Sequence, residues 1–177
     1  MCFLPDHEIA ALGSDLIQPF RPENVEPSSI DCRLSNELLV PDLDRCGHID
    51  LASPPPDFMD HVTIDEEDGY VLRPGQFVLG VTEETVTLPD NIVGKIEGKS
   101  SVGRFALIVH VTAGFIDPGF KGQVTLEMVN LLGVPIILRP GKKICQIAFA
   151  WMHAPAKHPY QGRYQNSRGA VASRYGG

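Results

Sequence analysis

Nothing in this chain approaches the run of about 18 to 20 apolar residues that a membrane-crossing helix requires, and its apolar stretches are all short. The first thirteen residues also lack the basic segment and apolar core of a secretory signal. Basic residues are in the minority: 15 Lys and Arg against 22 Asp and Glu leave a net charge of -7, which removes the basic stripe that a nucleic-acid groove needs. Cysteine is sparse and irregular. Cys2, Cys32, Cys46 and Cys145 never form a Cys-x-x-Cys pair, so neither a zinc framework nor a disulfide scaffold is indicated, and reduced thiols are expected. Together these absences point to a cytoplasmic protein with no nucleic-acid and no membrane partner. At 177 residues the chain suits one domain spanning 1–177 and is too short for two ordinary ones.

What the chain has in quantity is turn formers, 17 Gly and 15 Pro. They divide it into short β-type runs at 37–40, 77–82, 92–96, 106–111, 124–130, 135–138 and 144–151. The pattern predicts a mostly β barrel or jelly-roll-like sandwich, and no alternation of strands with helices supports a parallel sheet. One short helix is expected over 5–12, with Asp6 as N-cap and Gly13 as its stop. Leu72-Arg73-Pro74-Gly75 is echoed by Leu138-Arg139-Pro140-Gly141, and both read as Pro-Gly turns between hairpin strands. The proline-rich stretch 51–60 reads as an exposed loop, and the segment after Trp151 as a polar tail without a packing pattern of its own.

Chemistry concentrates in residues 97–130. The turn Lys99, Ser100, Ser101, Val102, Gly103, Arg104 offers two hydroxyls, two cations and a glycine, a set able to bind phosphate oxygens, with arginine gripping two at once. It is not a Walker loop, because the G-x-x-x-x-G-K-S/T spacing is missing. In the alternating run 124–130, Val124, Leu126 and Met128 fall on one face and Thr125, Glu127 and Val129 on the other, so Glu127 stands opposite the most apolar side. Between them, three glycines and a proline surround one acid, Asp117.

The strings GKSSVGR (98–104), HVTAGFIDPGFKG (110–122), VTLEMVN (124–130) and LRPGKKICQIAF (138–149), in this order, resemble the dCTP deaminase branch of the dUTPase superfamily. Residues 17–20 and 25–34 are similar to that family's N-terminal segment, and 160–165 with 169–174 to its C-terminal tail; residues 41–69 fall outside the likeness. The resemblance implies a dUTPase-like β-barrel (β-clip) fold with a short N-terminal helix and a homotrimer. It also implies hydrolytic deamination of dCTP to dUTP and ammonia on the route to dUMP and dTTP. Zinc deaminases of nucleobases carry H-x-E and P-C-x-x-C, neither of which occurs here. The implied chemistry is therefore zinc-free, with Glu127 as base and acid and with magnesium held through the triphosphate.

By the same resemblance Ser100 and Arg104 serve both the reacting base and the phosphates, and Lys99 and Ser101 complete the phosphate grip. The backbone around Thr112 and Ala113 meets the cytosine edge, and Asp117 meets the deoxyribose. Tyr160, Arg163 and Gln165, within 160–177, close over the triphosphate, and dTTP is the implied feedback ligand. The family commonly has lysine at position 163, glutamine at 167 and Leu-Gly at 105–106, where this chain has Arg163, Ser167 and Phe105-Ala106; the last reads as a packing change. Deamination with release of dUTP ranks first. Close behind is a bifunctional enzyme that goes on to dUMP and pyrophosphate, with Asp117 activating water at the α-phosphorus. A catalytically silent nucleotide sensor ranks lower, because binding alone needs no base at 127.

Overall fold

The computed structural model describes residues 2–53 and 56–175. Two sheets carry most of the chain. In the first, β5 (Met59–Thr63), β4 (Glu37–Pro41), β7 (Phe77–Thr87), β11 (Lys121–Asn130) and β9 (Leu107–Ile108) lie side by side, and β1 (Ile17–Gln18) pairs with the far end of β7. The second runs β10 (Phe115–Ile116), β8 (Ile92–Gly98), β13 (Lys143–Trp151), β3 (Ser29–Arg33) and β2 (Val25–Glu26). A small third sheet joins β6 (Tyr70–Leu72) to β12 (Ile136–Leu138). All pairings between these strands are antiparallel. The expected mostly β architecture is what the chain adopts.

The core fills the space between the large sheets with Val78, Leu126 and Met128 from the first and Ile96, Ile147 and Phe149 from the second. Each such side chain contributes about 1.5–3 kcal/mol when fully buried. From Thr125 onward alternation in β11 is as the sequence predicts, with Leu126 and Met128 fully buried and Thr125, Glu127 and Val129 facing the other way, partly exposed. Val124, expected on the apolar face, is only half-buried and borders the cleft, because a register shift falls between Gln123 and Thr125. The two Leu-Arg-Pro-Gly echoes follow partner strands, since β6 pairs with β12 and their glycines, Gly75 and Gly141, take matching positive φ values of 73° and 72°.

Several boundaries differ from the sequence pattern. The helix α1 covers Asp6–Leu16, with Asp6 in its first turn rather than capping it; Gly13 breaks the helical geometry at φ 24° without ending the element. The run expected over 106–111 contracts to β9, and Ala106, with a left-handed φ of 57°, stands outside the strand at its start. The substitution at 105–106 is thus a matter of backbone conformation rather than of packing. The turn at 100–104 is ordered as one helical turn, α2 (Ser100–Gly103), with Val102 and Gly103 donating to the Lys99 carbonyl. At the N-terminus, Leu4 donates to the Phe149 carbonyl and Phe3 bridges to Ala150, fastening the start of the chain to its last strand.

Left-handed φ costs a non-glycine residue about 1–2 kcal/mol, and glycine returns roughly half of that gain as lost unfolded-state entropy. Ala106→Gly is therefore expected to raise the thermal unfolding midpoint by about 2 °C. A lowered midpoint in differential scanning calorimetry would contradict the strain assigned to Ala106.

Candidate active site

Beside the outer face of β11 lies a cleft of about 840 Å³. Its floor is Val124, Thr125 and Glu127 of β11 with Phe77 and Leu79 of β7; its walls are His110, Ala113, Phe115, Asp117 and Phe120 on one side and residues 56–59 on another. Tyr160, Tyr164, Ser167 and residues 171–173 of the tail line it as well. The lining is mainly apolar with a few acids and hydroxyls, the composition of a small-molecule site.

Glu127 is held by one oxygen. Its Oε2 accepts from the backbone amides of Val111 and Thr112, each at 3.2 Å. The loop that supplies these donors is itself secured where Ile96 of β8 donates to the Gly114 carbonyl at 2.9 Å. The two amides orient the carboxylate, and Oε1 is the oxygen left to exchange a proton with a ligand. The Thr112 amide, expected to meet a cytosine edge, is engaged here by Glu127.

Asp117 opens the turn 117–120, in which Phe120 donates to the Asp117 carbonyl at 3.1 Å and Gly119 takes φ 89°. Pro118 and Gly119 are the residues that such a turn demands, and the turn delivers the exposed Asp117 carboxylate to the same cleft as Glu127.

The tail packs along β11 instead of standing free. Ser167 bridges Gly122 in parallel, Gly169 donates to Gln123 Oε1 at 2.8 Å, and Val171 donates to Thr125 Oγ1 at 3.2 Å. A side chain at Gly122 would stand 2.7 Å from Ser167 Oγ, so the absence of a Cβ there permits the approach. Tyr160 stacks edge-on against Phe120 with ring centroids 5.7 Å apart. Arg163 and Arg174 donate to each other's carbonyl oxygens, and Arg174 lies over the Tyr164 ring. Gln165 donates to the Gly119 carbonyl at 2.8 Å and accepts from the Lys121 amide at 2.9 Å, so its amide fastens the tail to the Asp117 turn. The last two residues of the expected lid, 176–177, lie outside the described residues.

Of the sequence-predicted site residues, Glu127, Asp117, Ala113 and Tyr160 line one cleft, with Thr112 bonded to Glu127 and Gln165 bonded behind Tyr160. Lys99, Ser100, Ser101 and Arg104 are not among the residues that line it. They sit on α2 and at its two ends, where Ser100, Ser101 and Arg104 are exposed and Lys99 forms an ion pair with Asp31.

Two features escaped the sequence reading. His110 borders the cleft with both ring nitrogens buried and, among the described residues, without a hydrogen-bond partner. Residues 56–59, from the segment 41–69 that the sequence motifs left outside the family likeness, form a wall. The first could be read from its place two residues before Thr112; the second has no local signal, because pairing of β5 with β4 brings it in. Among the described residues no three His, Cys, Asp or Glu are grouped so as to hold a metal ion, and no helix is long and apolar enough to cross a membrane.

Comparison with known proteins bears on this geometry. A family model described as dCTP deaminase-like matches residues 3–152, which takes in the segment 41–69 and ends before the tail. A protein of Pseudarthrobacter chlorophenolicus named "dCTP deaminase, dUMP-forming" is 48% identical over 164 residues, covering 90% of this chain and 86% of that protein. A protein of Beutenbergia cavernae with the same name is 46% identical over 179 residues, covering 97% and 93%. The crystal structure of 2'-deoxycytidine 5'-triphosphate deaminase from Agrobacterium tumefaciens matches with a TM-score of 0.67 at 24% identity over 85% of this chain. The matched part is 49% of that solved chain, so this chain spans about half its length, and the likeness is one of fold.

Proposed function

Because the chain belongs to the dCTP deaminase-like family, we propose that it converts dCTP to dUMP in two hydrolytic steps, deamination to dUTP and cleavage of dUTP to dUMP and pyrophosphate. The observation that carries this reading is the presence of two separate acids, Glu127 and Asp117, on one cleft. The relatives' name, "dCTP deaminase, dUMP-forming", favours it over release of dUTP, which the sequence motifs alone ranked first.

In the first step Glu127, oriented by the Val111 and Thr112 amides, takes a proton from water as oxygen adds at C4 of cytosine. The same carboxylate returns the proton to the exocyclic amino group, which leaves as ammonia. In the second step Asp117 takes a proton from a water that attacks the α-phosphorus, and pyrophosphate departs. Tyr160 and the tail exclude bulk water, which strengthens the charge contacts inside. The triphosphate would carry magnesium, which would neutralise part of its charge, with no protein ligand assigned to it. dTTP, lacking the amino group, competes for the same cleft as a feedback ligand.

Ser100, Ser101 and Arg104 grip phosphates in this proposal, yet their loop lies apart from the cleft lining of its own chain. Phe105, Val111, Phe115 and Leu131 nearby are 51–65% exposed, an apolar set of the kind that marks an interface. A homotrimer, in which each α2 loop completes the cleft of a neighbour, accounts for both observations.

Glu127→Gln is expected to abolish ammonia release while nucleotide affinity stays within about tenfold; deamination above a tenth of the wild-type rate would remove Glu127 as the base. Asp117→Asn is expected to stop pyrophosphate release while dCTP still becomes dUTP. A time course separating dUTP from dUMP decides this, and wild-type protein that accumulates dUTP would reject the second step. Subunit sharing predicts complementation. Mixed oligomers of Glu127→Gln and Arg104→Met chains, each inactive alone, should regain roughly a quarter of wild-type sites. No recovery after confirmed subunit exchange would place both groups in one chain.

A further inference from the structure

A buried carboxylate that the proposed chemistry does not use sits behind the phosphate loop. Asp31 of β3 has a side chain only 1% exposed, and two ammonium groups reach it. Lys99 Nζ donates to Oδ1. Lys143 Nζ, from β13, stands 3.1 Å from Oδ2, at an angle that makes an ion pair rather than an aligned hydrogen bond. The Lys99 and Lys143 side chains remain 20% and 32% exposed.

The surroundings hold this carboxylate rigidly. Asp31 is in register with Gln146 of β13, which is in register with Glu97 of β8. Gln146 accepts from Ser29 Oγ at 2.9 Å and donates to the Gly98 carbonyl at 3.1 Å. Asp31 therefore stands fixed one residue short of the loop whose first side chain it holds.

One buried carboxylate needs one cation for compensation, and two leave a surplus positive charge at the base of α2. Removing the sole partner of a buried ion leaves an uncompensated buried charge, which would lock a single lysine in place. Lys143 removes that lock, because Asp31 stays paired when Lys99 leaves.

We infer that Lys99 exchanges between Asp31 and the phosphates of a bound nucleoside triphosphate, and that Asp31 and Lys143 are positioning residues that make this exchange possible. The inference rests on the loop's reading as a phosphate grip. With no triphosphate present, Lys99 docks on Asp31 and orders α2 through its carbonyl, which accepts from Val102 and Gly103. When the triphosphate arrives, Lys99 turns outward and Lys143 alone balances Asp31.

Titration calorimetry with α,β-imido-dUTP, which the enzyme can neither deaminate nor cleave at the α-phosphorus, and with dUMP as the short comparator, tests this. Lys99→Met is expected to weaken imido-dUTP about tenfold with little change for dUMP. Lys143→Met is expected to weaken imido-dUTP by a comparable factor, again sparing dUMP, and Lys143→Arg to restore affinity. The double variant should lose no more than the worse single one, because both act through one pair. Wild-type affinity in Lys143→Met beside a weakened Lys99→Met would overturn the exchange and leave the phosphate loop standing. An unaffected Lys99→Met would overturn the loop's reading itself. Equal losses for imido-dUTP and dUMP in Lys143→Met would assign Lys143 a general structural role and reject the inference. Thermal unfolding of each variant confirms a folded protein, and Lys143→Gln replaces Lys143→Met should the latter not fold.

Discussion

The antiparallel ladder between β7 and β11 is the constraint on which the rest of the molecule depends. Its register, Leu126 to Gly80 and Glu127 to Leu79, places Leu126 and Met128 in the core. With a side-chain period of two, Glu127 then has no choice but to face the cleft. A slip of one residue would bury the carboxylate and expose two of the best-packed side chains in the protein. The bulge between Gln123 and Thr125 lets the far end of β11 turn toward the tail, so that Gln123 and Thr125 receive Gly169 and Val171. One strand thus seats the core, the acid and the C-terminal tail.

Much of this was legible from residue patterns because the determinants are local. Alternation fixed the faces of β11, the Asp-Pro-Gly-Phe order fixed the turn at 117–120, and Pro-Gly pairs marked the ends of β6 and β12. Gaps appear where the determinant is nonlocal or conformational. Ala106 looks like an ordinary β-run residue, and only its φ of 57° shows why β9 begins no earlier than Leu107. The strand β3 was not anticipated, since its Asp31 and Arg33 break the apolar pattern and are matched by partners distant in sequence. The tail gives no periodic signal because its docking uses backbone donors and the side chains of another strand.

The turn at 99–104 shows the same division. Its residue types led to the expectation of anion binding, but nothing in the sequence says that Lys99 is held by Asp31 or that the turn stands apart from the cleft of its own chain. Those relations follow from the pairing of β3, β13 and β8, which sets residues from three distant segments in one row.

The clasp between the first residues and the last strand has a consequence for biosynthesis. Leu4 and Phe3 find their partners only at Phe149 and Ala150, and β3 finds its central neighbour only in β13. The second sheet cannot close until β13 has left the ribosome, and such long-range pairing places folding in the slow, millisecond-to-second regime. Residues 160–175 emerge after β13 and dock on β11, which precedes them in the chain. The framework can therefore form before the residues that roof the cleft are available to cover it.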